Sequence, residues 1–191
     1  SPMQAAAILL PILCVMDAFA IKVHYRNADY PLIKLMLPGA CVGIVVAGFF
    51  LSVIPKAGLS LLIGSLSLLF CLQYVLNSSN KPIVKNAWFW CALGGFSSTT
   101  IHAGGGPISI YLLPKKLNKL TLVATMAVLF GVINLIKLIP YALLGNFDQT
   151  NLLTALVLMP LAPIGVKLGV MLLHRVSQSM VYRLCYLFLF I

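Results

Sequence analysis

Acidic residues are almost missing from this chain. Three Asp or Glu stand against thirteen Lys or Arg, and charges of both signs make up only 8% of 191 residues. A soluble domain carries about 25% charged residues. So few charges cannot cover a water-facing surface, which excludes an ordinary soluble globular domain. The shortage of acids also removes the paired carboxylates of hydrolases. The three acids and three histidines are too scattered to form a metal set. No HExxH, GxSxG or P-loop pattern occurs, so no enzyme signature is present and neither a cofactor nor a metal is expected. The five cysteines, Cys14, Cys41, Cys71, Cys91 and Cys185, fall singly in apolar stretches. With no CxxC pair among them they read as buried free thiols rather than a disulfide framework. No signal peptide is visible.

What the chain does have is apolar length. Hydrophobic residues make up 61% of it. A spanning helix needs about 20 largely apolar residues. Six runs approach or meet this: segments A (3–21), B (34–54), C (58–77), E (119–144), F (151–173) and G (180–191). The expected fold is an all-α membrane protein, a polytopic helical bundle in the lipid bilayer. Prolines 11, 38, 140, 160 and 163 read as helix kinks.

Segment D (87–113) is different. Apolar and small residues lead into His102, Ala103, Gly104, Gly105, Gly106 and Pro107. Three glycines followed by proline do not hold a regular helix. Backbone freed at membrane depth survives only where protein or a water-filled cavity satisfies it. D is therefore a broken spanning helix or a re-entrant pair of half-helices.

Loop charges choose between these. The net charge of +10 is not a nucleic-acid signal, because the basic residues lie between apolar runs. They are Lys22, Arg26 and Lys34 in the A–B loop, Lys56 in B–C, Lys81 and Lys85 in C–D, Lys115, Lys116 and Lys119 in D–E, and Arg175 and Arg183 at F–G. If D crosses, the two sides receive five and six; if D enters and returns, they receive ten and one. The rule that basic loops stay in the cytoplasm favours re-entry. Trp88 and Trp90 at the mouth of D suit an interface belt.

An internal repeat fits the same picture. Asp17 in VMD aligns with Asn134 in VIN, and LPGACVG at 37–43 aligns with MPLAPIG at 159–165. A then matches E, B matches F and C matches G, in opposite orientation. The expectation is one transporter domain over 1–191, built from inverted repeats at 1–80 and 87–191, with the counterpart of D before Ser1. Inverted repeats with discontinuous helices at their interface are a recurrent transporter design.

The turn at 102–107 is the first candidate site. A half-helix N-terminus offers N–H donors and partial positive charge to an anion. Pro107 suits the first turn of the second half-helix. Ser97, Ser98, Thr99 and Thr100 precede the turn with hydroxyl donors, although close packing through small residues would use the same composition. His102 reads either as an anion or proton contact or as a structural bond to a backbone carbonyl. Lys137 and Lys167 lie inside apolar runs, where a cation is costly and functional by default. Snorkelling is the competing reading, above all for Lys167 near the end of F. Lys137 shares a helix face with Asn134 and Tyr141. Asp17, the one acid in an apolar run, reads as a partner for a lysine or as a coupling group, with Lys167 as a second candidate. Gln73 reads as a helix–helix hydrogen bond.

Segment D also resembles a known family. The residues GFSSTTIHAGGGPISIYLLP at 95–114 are similar to a motif variant, GFTS-x-x-AHAGGPP-x-x-x-YLLP, of the sulfite exporter TauE/SafE family, also called the toluene-sulfonate uptake permease family. Thr99 and His102 stand where the broader pattern has glycine, which changes the pocket. The resemblance implies a multi-pass permease of the bacterial inner membrane that moves small sulfur-containing or organic anions.

Residues and resemblance together lead to one expectation. The protein is a secondary transporter for an organosulfonate, sulfite or related anion, working by alternating access. Its binding residues are Ser98, Thr99, His102, Ala103, Gly104, Gly105, Gly106, Asn134 and Lys137. The alternatives are an anion channel and a non-transporting membrane subunit or assembly factor. The partners are a small anion and lipid, not nucleic acid, and a homo-oligomer is compatible with the sequence.

Overall fold

The computed structural model describes residues 2–53, the single positions 58, 61, 65 and 68, and residues 86–190. Most of segment C, with Gln73 and Cys71, lies outside the described residues, as do Lys56, Lys81 and Lys85. The described elements are all helical: α1 (Pro2–His24), α2 (Tyr30–Val53), α3 (Ala87–Ile101), α4 (Gly105–Leu112), α5 (Lys119–Leu143), α6 (Gln149–Leu158), α7 (Leu161–Arg175) and α8 (Gln178–Phe190). Short polar side chains set several starts by accepting an otherwise unpaired first-turn N–H. Asn86 accepts from Phe89, Asn118 from Leu120, and Asp148 from Asn151.

Helices α1, α2 and α5 are each long and apolar enough to cross a membrane. The 25 residues of α5 extend about 37 Å. Segment F is not one straight helix. It breaks between α6 and α7 with a bend of 42°. Pro160 sits at the break, and its missing N–H explains the interruption.

Segment D folds as a hairpin. The 15 residues of α3 reach about 22 Å and the 8 of α4 about 12 Å, so neither spans a bilayer alone. A Cβ built on Gly94 of α3 would lie 2.7 Å from Ile108 Cγ1 of α4. In one continuous helix these positions would stand about 21 Å apart. Helix α4 therefore runs back along α3. The reversal begins at His102, whose left-handed backbone (φ 55°) caps α3.

Close contacts give the helix directions. Asp29 N–H donates to Thr125 Oγ1 near the start of α2 and α5, and Gly48 faces Pro140 near their ends, so these two run parallel. Helix α1 runs against α5: Ile21 meets Gly131, while Ala6 and Leu10 cluster with Tyr141. Lys119 Nζ donates to the carbonyls of Leu173 and Val176 at 2.8 and 2.6 Å, tying the start of α5 to the end of α7. The A–B, D–E and F–G turns thus gather at one end of the bundle with their basic residues. The loop-charge count, under re-entry, requires that arrangement.

The hairpin is held by α2. A Cβ on Gly39 would lie 2.7 Å from the Trp88 carbonyl oxygen, and one on Gly43 or Gly95 would overlap the carbonyl of Ala92 or Ala40. Gly39 and Gly43 form a small-xxx-small stripe that lets two backbones touch. Trp88 is exposed, as an interface residue should be, but Trp90 is buried in the core with Met36 and Leu112. Two residues apart on a helix point about 200° apart, so only one of the pair can face outward.

Candidate functional site

The hairpin tip meets the middle of α5 and buries a cation there. Lys137 is 0% exposed. Its ammonium donates to Ser98 Oγ at 3.1 Å, His102 Nδ1 at 2.8 Å and Asn134 Oδ1 at 3.1 Å. An ammonium has three N–H donors, and three acceptors surround this one. All three are neutral, so the buried charge is solvated by dipoles and not by a direct carboxylate partner.

The histidine is fixed from both sides. Its Nε2 lies 2.9 Å from the Ala6 carbonyl oxygen, which can only accept. Nε2 therefore carries the proton, and Nδ1 accepts from Lys137. The structural bond to a backbone carbonyl and the contact with the candidate site are both made, one by each ring nitrogen.

Asn134 bridges two charges. Its Oδ1 accepts from Lys137, and its Nδ2 donates to Asp17 Oδ2 at 2.7 Å. These partners fix the amide orientation, because only nitrogen can donate to the carboxylate. Asp17 therefore pairs with Lys137 through an intervening amide, not by direct contact.

Beside this network lies a cavity of about 490 Å³, within the roughly 300–1,000 Å³ usual for small-molecule sites. Its polar wall is Ser98, His102, Gly105, Asn134 and Asp17. Its apolar wall is Leu13, Val123, Met126, Ala127 and Phe130. Three of the polar residues are the acceptors of Lys137, so the cation stands directly behind that wall. The apolar residues at 123, 127 and 130 continue the Asn134 face of α5 at spacings of four and three. That stripe was readable once Asn134 was chosen. The Ala6 carbonyl had no sequence signal, because any residue supplies one.

The hydroxyl run divides sharply. Ser97 donates to the Leu93 carbonyl, Thr99 to Gly95 and Thr100 to Phe96, each four residues back. Such back-bonding is the ordinary fate of Ser and Thr inside helices. Only Ser98 lines the cavity. Thr99 is fully buried away from the cavity and instead accepts the Tyr141 hydroxyl on its carbonyl at 2.8 Å. Ala103, Gly104 and Gly106 shape the turn without lining the cavity. Gly104 packs against Ser98, Gly94 and Phe130, where a Cβ would collide at 2.6 Å. A Cβ on Gly105 meets nothing within 4 Å, which fits its place on the cavity wall. Lys167 stands exposed on α7 and joins none of these contacts. Among the described residues no group of His, Cys, Asp and Glu is arranged to hold a metal.

No curated protein and no solved structure matches the chain. The model of one protein family, described as sulfite exporter TauE/SafE, matches residues 1–191. That family implies membrane transport of sulfur-containing anions. The chain belongs to the sulfite exporter TauE/SafE family.

Proposed function

We propose that the protein moves a small organosulfonate across the bacterial inner membrane by alternating access. The observation that carries this reading is the buried Lys137 ammonium behind a cavity wall made of its own three acceptors. An anion entering there gains the cation's field in a low-dielectric setting. The N-terminus of α4, which opens at Gly105 on the cavity wall, supports the same reading. The sulfonate head sits at Ser98, His102, Gly105 and Asn134, and the carbon part lies against Leu13, Met126 and Phe130. Sulfite alone would leave that apolar wall and most of the volume unused.

One feature supports rocking of one repeat against the other. Asp17 and Asn134, equivalent in the proposed repeats, touch each other across antiparallel helices. A two-fold axis lying in the membrane plane between α1 and α5 would bring them together.

A thermal-shift series tests the substrate class. At a hundredfold excess over Kd, a ligand of the folded state adds about 2.7 kcal/mol. For a chain of this size that raises the melting temperature by about 5 °C or more. Aryl sulfonates, sulfoacetate or taurine are expected to do so more strongly than sulfite or thiosulfate. A larger shift with sulfite than with any organosulfonate would overturn the assignment.

In this reading the basic end faces the cytoplasm, by the rule that basic loops stay inside. Cysteines introduced at Asn118 and Thr150, both exposed, are expected to differ toward an impermeant maleimide in intact cells: the one at Thr150 reacts, and the one at Asn118 reacts only after the membrane is opened. Reaction of both from one side would refute the arrangement.

A further inference from the structure

Resting on the anion site just described, we propose that Asp17 takes up one proton with each sulfonate bound, so that transport is sulfonate–proton symport. Asp17 lines the same cavity as Ser98 and His102. Asn134 occupies one of its carboxylate oxygens. The second oxygen has no partner among the described residues.

The charges decide the matter. Lys137 and Asp17 together leave the buried site neutral. A sulfonate added to that pair leaves one uncompensated negative charge at membrane depth, which is strongly unfavourable. One proton on the site restores neutrality. Protonated Asp17 also changes from an acceptor that repels the sulfonate into a donor that can bond it.

Asp17 is the group able to take that proton. Helix α5 presents Lys137 to it, the one charge that bears on its carboxylate. The α3–α4 hairpin presents His102, whose nitrogens are both engaged, by Ala6 and Lys137. Protonating that ring would cost Lys137 an acceptor. Tyr141 on α5 is already bonded to Thr99. Cys14, one turn before Asp17 on α1, is the remaining titratable neighbour. Helix α6 carries no titratable side chain, Lys167 of α7 is exposed, and His174 and Arg175 sit at the far, basic end. The cycle balances: a proton from one side converts the carboxylate to the acid as the anion binds, and both leave to the other side.

The test uses the purified full chain and benzenesulfonate, which keeps its single charge over the working range. Binding is measured across roughly pH 5 to 8, where groups near neutrality titrate. Affinity is expected to be level while Asp17 is protonated and to fall about tenfold per pH unit above that point. In the range where affinity falls with pH, one proton should be taken from weakly buffered solution per anion bound. Asp17→Asn is expected to bind tightly with a level pH profile and no proton uptake. A wild-type slope retained in Asp17→Asn, anion binding by wild type at the high end of the pH range without proton uptake, or a dependence on sodium in place of pH would each overturn the proposal. The wild-type proton count decides the question even where the variant does not fold. Wild-type protein that binds no benzenesulfonate at any pH would overturn the anion-site reading itself.

Discussion

Lys137→Met is expected to cut sulfonate transport at low substrate concentration by about 10- to 100-fold in proteoliposomes, while the purified variant still melts cooperatively. Methionine keeps most of the side-chain length and removes the charge. The acceptors left behind are Ser98, His102 and Asn134, and all three line the cavity, where water can replace the lost donor. Folding therefore loses little. Binding loses the cation that the site is built around. A unit cation about 6 Å from the anion contributes about 2–3 kcal/mol at an effective dielectric near 20, so affinity falls about 10- to 100-fold. Uptake of labelled benzenesulfonate, read beside the melting temperature, checks this. Uptake at the wild-type rate by the folded variant would remove Lys137 from the site. Lys137→Arg is expected to be impaired as well, because a planar fork cannot place three donors on acceptors that converge on one nitrogen.

Gly43→Ala and Gly95→Ala are expected to destabilise the fold strongly, lowering both yield and melting temperature. At each position the new Cβ would overlap a backbone carbonyl of the facing helix, that of Ala92 or Ala40. A side chain can turn away from a clash; a backbone carbonyl can move only if the helix moves. Overpacking ordinarily costs about 1–3 kcal/mol, and contact with backbone belongs at the upper end. Because α2 carries the hairpin, its displacement also moves Ser98 and His102 away from Lys137. Gly105→Ala is the control. Its Cβ meets nothing within 4 Å, and alanine is the better helix former by about 1 kcal/mol. The measurement is the yield and melting temperature of the three variants. Wild-type melting of Gly43→Ala would show that α2 and α3 do not cross so closely.

Much of the site was legible in order along the chain. Lys137, Asn134 and Tyr141 share a face because four- and three-residue spacing places them so on any α-helix. The hairpin was signalled by a Gly-Gly-Gly-Pro run and by the one-sided distribution of basic loops. The hydroxyl run misled in part. Four consecutive residues of a helix cover the whole circumference, so at most one or two can face a given cavity. Which one does so depends on the rotation of α3, and that is set by Gly39 and Gly43 of a different helix.

Composition and periodicity by themselves determined that the chain lives in lipid, that it is helical, and that segment D must break. Those conclusions follow from local rules: too few charges for a water surface, apolar runs of spanning length, and residues that cannot hold helical backbone. They also singled out Lys137, because a cation in an apolar run is costly wherever the chain places it. Only the tertiary structure decided what that cation touches. Its three acceptors come from α3, the hairpin tip and α5, and the carboxylate that balances it comes from α1. Such contacts join residues up to 117 positions apart. They depend on how closely helices approach and how each is rotated, and no local propensity carries that information.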